Sequence, residues 1–185
     1  LRPIREDNGL LGLVEPLGFQ QCSLRRKSDA VKAIYDAGCE RAYRLVHDTF
    51  HHYLSGEDIF YPDLTGLVHI SGVEDKGVAD ADMLDGHRLL VGDADRLGNI
   101  RQLKILLDRG YQGVVSFEPF AAEVMDAKNS EEILKTSMDY IRANDNELAQ
   151  KILDNMFTFD DLERLDDKGI QALLKEVQTE SLVIA

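Results

Sequence analysis

A chain of 185 residues, 44% hydrophobic and 30% charged, has room for one substantial core and a small second one. Its formal net charge of -13 argues against a nucleic-acid partner, because phosphate backbones are neutralised by basic surfaces. No apolar run approaches a membrane span and no signal peptide is visible. Cys22 and Cys39 have neither zinc-ligand spacing nor a disulfide framework, so a cytoplasmic protein with reduced thiols and no membrane partner is expected. The first residue is Leu1, and the chain ends on the uncapped apolar run Leu182-Val183-Ile184-Ala185. Both ends predict a piece of something longer.

The first strand-like run is Leu10–Glu15 (LLGLVE), followed by a turn at Glu15-Pro16-Leu17-Gly18-Phe19. Ser28 or Asp29 is the predicted N-cap of a helix over roughly Ala30–Ala37, with Gly38 as its stop. A second run, Arg44–Asp48 (RLVHD), leads into a helix that Pro62-Asp63 is predicted to end. The third run, Leu67–His69 (LVH), opens a Gly- and Asp-rich loop from Ser71 to about Asp95. Helical spacing resumes at Ile100, Leu103, Leu106 and Leu107 and stops at Gly110. The fourth run, Val114–Glu118 (VVSFE), gives way to Pro119 and then to a helix from about Ser130 to Arg142.

Each of the four runs is Val- and Leu-rich, as a strand buried on both faces must be, and each closes on a group able to bind a metal. Singly, a strand-end acid is more often a helix cap or a solvated loop residue, and a lone His69 more often a core histidine. Jointly they form a pattern. Strand–helix alternation four times over predicts an α/β fold of four parallel βα units, half of a (β/α)8 TIM barrel, with strands pairing in sequence order. The carboxyl ends of such strands share one face, so Glu15, Asp48, His69 and Glu118 should converge. Three carboxylates and an imidazole suit one divalent ion: Mn, Co, Zn or Mg. Half a barrel leaves open edges, which predicts self-association or the need for a missing partner half.

After Asn144 the pattern becomes all-helical. Helices are expected at Glu147–Asn155, Lys168–Val177 and Glu180–Ala185, with an apolar stripe at Ile170, Leu173, Leu174 and Val177. The predicted division is a half barrel over residues 1–143 and a short all-helical tail over 144–185. The tail is expected to pack only weakly on the first part.

The motifs Val14-Glu15-Pro16, His47-Asp48-Thr49-Phe50-His51, Gly66-Leu67-Val68-His69-Ile70 and Gly110-Tyr111-Gln112-Gly113 with Phe117-Glu118-Pro119-Phe120 resemble the second half of a xylose-isomerase-like barrel. That family includes metal-dependent sugar isomerases and epimerases, among them inositol-catabolism proteins and ketose 3-epimerases. The resemblance implies metal ligands at Glu15, Asp48, His69 and Glu118, proton exchange by Glu15 and Glu118, and a substrate-contacting histidine at His51. It also implies a polyol or ketose substrate, with the ancestral chemistry implied more strongly than turnover by this half alone. Ketose epimerases carry an arginine where this chain has Asp75, six residues after His69, whereas Gly86-His87-Arg88-Leu89-Leu90-Val91-Gly92-Asp93 is closer to the inositol-catabolism branch of IolH type. Arg88 either supplies the missing positive charge to the substrate or is a surface arginine on a loop.

Glu147-Leu148-Ala149-Gln150-Lys151-Ile152, Met156-Phe157-Thr158-Phe159 and Asp166-Asp167-Lys168-Gly169-Ile170-Gln171 are similar to a different family, the flagellar motor switch protein FliG near the start of its C-terminal region. That likeness implies a flagellar switch protein as a partner of the tail. The sequence therefore reads as a composite with its seam at Tyr140–Asp145.

Overall fold

The computed structural model describes residues 10–154 and 182–184. Four strands, β1 (Gly12–Val14), β2 (Tyr43–Asp48), β3 (Thr65–Ile70) and β4 (Val115–Phe117), lie side by side in sequence order, every pair parallel. The expected strand order is observed. Helices α1 (Lys27–Asp36), α2 (Thr49–Ser55) and α3 (Asn99–Asp108) alternate with them, and α4 (Ala122–Met125), α5 (Ser130–Asn144) and α6 (Asn146–Asp154) follow. One core cluster joins β3 and β4 to α3, α5 and α6 through Val68, Ile70, Leu103, Leu106, Val115, Met138 and Ile141. A second joins β2 to α1 through Leu45, Ala30 and Ile34.

Helix boundaries differ from expectation at the start of α1, where the cap comes from a distant residue, and at the end of α2. Helix α1 starts at Lys27, and neither Ser28 nor Asp29 caps it. Instead the Glu57 carboxylate accepts from the Lys27 and Ser28 amides at 2.6 and 3.0 Å, meeting two of the donors a helix start leaves open. Helix α2 is capped by Asp48, which accepts from the His51 amide, and it ends at Gly56 rather than at Pro62-Asp63. Gly56 adopts φ 69°, a left-handed conformation suited to glycine. Pro62 opens a short 3-10 turn that leads into β3. Asp95 secures the start of α3, accepting from the Leu97 and Asn99 amides at 3.0 Å each.

The Ser71–Asp95 segment is less open than its composition suggests. It holds 3-10 turns at Asp80–Asp82 and Asp85–His87, and an antiparallel bridge ties Gly72 to Leu89.

Two expectations about the tail are corrected. Helix α6 packs closely: Leu148 and Ala149 are buried in the same cluster as Ile141, Met138 and Leu106. Full burial of one such leucine is worth about 1.5–3 kcal/mol, and the apolar face of α6 finds that burial against α5 and α3. Leu182–Ile184 is not helical but a strand, β5, parallel to β1 with Leu182 opposite Gly12 and Ile184 opposite Val14. A Leu-Val-Ile run has strong strand preference, and the free edge of β1 offers unpaired backbone groups. The expected helix Lys168–Val177 and its stripe at Ile170, Leu173, Leu174 and Val177 lie outside the described residues.

Candidate metal centre

Asp48 ends β2 and His69 stands directly opposite it on β3. His69 in turn faces Ser116, two residues before Glu118 on the next strand, and the Glu118 amide donates to the Ile70 carbonyl at 2.9 Å. Glu15 follows the last residue of β1. Parallel register thus carries all four groups to one end of the sheet, and one ligand atom from each lies within 4.8 Å of the others. The predicted convergence is observed.

The donors approach a shared centre, and two of their atoms are left without an aligned hydrogen bond. His69 Nδ1 lies 3.3 Å from Glu15 Oε1 and 3.2 Å from Glu118 Oε1. These are ion-pair distances, yet His69 Nδ1 and Glu15 Oε1 are buried atoms that make no aligned hydrogen bond. Orphaned buried donors and acceptors are costly unless another group completes them. A divalent cation would do so, and the O3N donor set fits one.

Electrostatics separates the four groups. Burial pushes the Asp48 carboxyl up to about 7, partly opposed by Arg88 and the His51 amide. Burial also works to raise Glu118, but His69 and Arg88 outweigh it and hold that carboxyl at about 2. The two share the same cation, and the more deeply buried Asp48 is the one that keeps a proton longer. Burial lowers His69, while Glu118 and Glu15 more than offset it and bring the imidazole to about 9.

Arg88 is not on the surface. Its side chain is 1% exposed, with Nη2 donating to Asp48 Oδ2 at 2.5 Å and Glu118 Oε2 at 2.9 Å. The guanidinium lies 5.0 Å from the Phe50 ring centre and 4.9 Å from that of Phe120, within cation–π range. The surface-loop alternative is therefore wrong: the bridge between Gly72 and Leu89 draws the loop back over the strand ends.

His51 is buried beside the cluster, its ring edge-on to Phe19 and Phe50. Burial and Arg88 lower its pKa to about 4, so the imidazole is neutral at pH 7. The turn after β1 meets α2 so closely that a Cβ on Gly18 would sit 2.1 Å from the His51 carbonyl oxygen. Arg25 clamps this contact by donating to the Gly18 and Leu54 carbonyls, both at 2.8 Å.

Sequence reasoning missed a second polar cluster. Lys27 Nζ lies 2.7 Å from His47 Nδ1, and His47 Nε2 lies 3.0 Å from Gln102 Oε1. Gln102 Nε2 donates to the Thr49 and Leu97 carbonyls, which fixes its amide orientation. It follows that His47 carries its proton on Nε2 and accepts from Lys27 on Nδ1. No periodicity announces this cluster, since a lysine opening a helix ordinarily reads as exposed. A cavity of about 640 Å³ lined by Leu89, Val91, Glu123, Ile133, Ser137 and Tyr140 is separate, and none of the four convergent residues lines it.

Comparison with known proteins agrees with this geometry. A family model for the xylose isomerase-like TIM barrel matches residues 1–144, and one for the FliG C-terminal domain matches residues 139–185. A xylose isomerase domain containing protein of Salmonella typhimurium LT2 is similar at TM-score 0.57 and 32% identity, over 77% of this chain and 50% of that one. The IolI protein, solved with a zinc atom bound, is similar in fold at TM-score 0.59 and 20% identity, over 84% of this chain and 54% of that one. The chain thus spans about half the length of these solved structures. The flagellar motor switch protein FliG of Pseudomonas aeruginosa is 37% identical over 93 residues, 46% of this chain and 27% of that protein. FliG of Thermotoga maritima is 43% identical over 51 residues, 28% of this chain and 15% of that protein. With four parallel βα units, four potential metal-binding groups gathered at the carboxyl ends of the strands and a match over residues 1–144, the chain belongs to the xylose isomerase-like TIM barrel family.

Proposed function

We propose that the chain carries the metal centre of a sugar or polyol isomerase or epimerase of inosose type, with Glu15, Asp48, His69 and Glu118 holding one divalent ion. The observation that carries this reading is the approach of four donor atoms to within 4.8 Å at the strand ends. A bound divalent ion polarises a carbonyl and its neighbouring hydroxyl and so acidifies the adjacent C–H bond. Glu118, ionised at neutral pH, accepts that proton, and Glu15, after taking a proton from solvent, returns one to the opposite face of the same carbon, while the proton on Glu118 passes to solvent. Neutral His51 holds a substrate oxygen by a hydrogen bond. Arg88 contributes to the substrate through the N–H of Nη1 that its bonds to Asp85, Asp48, Glu118 and Ser71 leave over. The ion is Mn, Co, Zn or Mg. Both cysteines are free thiols and no helix of the described residues is long and apolar enough to cross a membrane, which supports a cytoplasmic reading.

The test has two parts. The purified chain should bind one equivalent of Mn²⁺, and an inosose or ketose incubated with it in D2O should lose the proton signal next to its carbonyl. Absence of stoichiometric metal binding sinks the proposal. Exchange that survives unchanged in Glu118→Gln sinks the assignment of the base. Turnover by this half alone is expected to be weak, with a second copy completing the pocket wall through self-association.

A second reading concerns the tail. The match of residues 139–185 to the FliG C-terminal domain favours a protein-interaction role for residues 144–185, with a flagellar switch protein as the partner. Pull-down of switch proteins by the full chain and not by a chain ending at residue 143 is the expected result. Equal capture by both excludes it.

A further inference from the structure

Arg88 is held more firmly than a substrate-binding arginine requires. Nε donates to Ser71 Oγ at 2.9 Å, Nη1 to Asp85 Oδ1 at 3.2 Å, and Nη2 to both Asp48 and Glu118. Those bonds engage four of the five N–H donors, counting one for each contact. The Phe50 and Phe120 rings pack against it, their centres 5.0 and 4.9 Å from the guanidinium carbon. Its own carbonyl accepts from the Phe120 and Ala121 amides at 2.9 and 2.8 Å, which anchors the backbone beneath the side chain. The guanidinium is thus held by its edge, packed against two aromatic rings and anchored through its own main chain.

The carboxylates are divided accordingly. Asp48 gives Oδ1 to the His51 amide and Oδ2 to Arg88. Glu118 gives Oε2 to Arg88 and turns Oε1 toward His69. An ionised carboxylate has about four acceptor sites, so these contacts leave acceptor capacity on both groups.

We infer that Arg88 is a fixed counter-charge of the metal centre: it stays on Asp48 and Glu118 when a divalent ion binds, keeps the carboxylates in place without the ion, and weakens the ion's binding by charge repulsion. This rests on the metal reading above. Like charges in a buried site repel strongly, and a guanidinium cannot discharge itself by losing a proton. The site is thereby built for an exchangeable ion rather than a permanent one.

The experiment compares wild type with Arg88→Met, which preserves a flexible apolar stem beside the two rings, and Arg88→Lys, which preserves the charge. Each metal-free protein is titrated with Mn²⁺ by calorimetry and melted by circular dichroism. Arg88→Met should bind Mn²⁺ at least about tenfold more tightly than wild type, while its metal-free form melts at a lower temperature. Arg88→Lys should stay within about threefold of wild type in affinity. Unchanged or weaker Mn²⁺ binding by a folded Arg88→Met overturns the inference and leaves the metal reading standing. If wild type binds no Mn²⁺ and Arg88→Met does, the counter-charge is supported and the metal reading of the native chain fails. If neither binds, both fail. Should Arg88→Met be unfolded without metal, Mn²⁺ should restore its fold, and failure to do so also overturns the inference.

Discussion

Two buried polar clusters lie back to back on β2, one residue apart. Successive strand side chains point to opposite faces, so Asp48 serves the cluster at the strand ends while His47 serves the one behind it. Behind, Lys27, His47 and Gln102 form a chain of hydrogen bonds that closes on backbone carbonyls. In front, His69 Nδ1 and Glu15 Oε1 are buried without a hydrogen bond, although they lie 3.3 Å apart. Burial and polarity are alike in the two. What differs is satisfaction: apart from His52 Nδ1 the rear donors and acceptors complete one another, whereas the front ones converge and remain incomplete.

The sharpest break in that comparison is expected at Asp48. Asp48→Ala removes one of three carboxylates from the buried Arg88 guanidinium and strips the cap from α2. Removing a partner from a buried ion pair costs about 3–5 kcal/mol, read as the loss in urea-unfolding free energy of the metal-free protein. A loss below about 1 kcal/mol would mean that the front cluster is as tolerant as an exposed ion pair. His69→Ala should act differently, lowering Mn²⁺ affinity by about 100-fold with a smaller effect on stability. An equal drop in affinity from a rear-cluster change such as Gln102→Leu would erase the distinction between the clusters.

Proton linkage sharpens it further. Without the ion, Asp48 titrates at about 7 and His69 at about 9. Both must be deprotonated to act as ligands, so binding releases protons below those values. Mn²⁺ affinity should therefore rise with pH from about 6 to 9, by up to about tenfold per unit for each proton displaced. Calorimetry in buffers of different ionisation enthalpy would count the protons, and a flat profile would remove either the ligands or their assigned titrations.

The four convergent residues were legible because the relevant signal is local. A Val/Leu run that ends in an acid or histidine can be read within six residues, and parallel register then brings the ends together. Arg88 was ambiguous because its surroundings are not local: Ser71 is 17 residues away and Asp48 is 40. Its Gly- and Asp-rich neighbourhood also has the composition of a solvated loop. The α1 cap failed for the same reason, since Glu57 reaches it across 30 residues. For Leu182–Ile184 the error was one of period: three apolar residues after a stretch of helical sequence pattern fit a strand as well as a helix, and the free edge of β1 decides between them.

A moderate effect is expected at Gln102. Its amide joins His47 to the Thr49 and Leu97 carbonyls, bracketing Asp48 on both sides in sequence. Gln102→Leu leaves His47 Nε2 and two carbonyls without that partner, at a cost of about 1–3 kcal/mol. If the rear cluster is structural, unfolding should register the loss while Mn²⁺ affinity changes by less than about threefold. A large affinity change would extend the site backward through β2.

The smallest effect is expected at His52, the one rear-cluster imidazole with an unsatisfied atom. Its Nδ1 is buried without a hydrogen bond, and its ring packs against Phe60 with centroids 4.5 Å apart. Burial, with Lys27 and Arg101, lowers its pKa to about 3. Between about 3 and the ordinary value of 6.5, the unfolded chain binds a proton that the folded chain refuses, so the wild type loses stability as pH falls through that window. His52→Phe retains the aromatic contact, removes the orphan nitrogen and eliminates that titration. At pH 7 its stability should match wild type to within about 1 kcal/mol. Its loss between pH 6.5 and 4 should be shallower, and Mn²⁺ affinity should not move. A steeper acid loss in the variant, or a shift in Mn²⁺ binding, would show that His52 is partnered in solution and that the rear cluster is coupled to the metal centre.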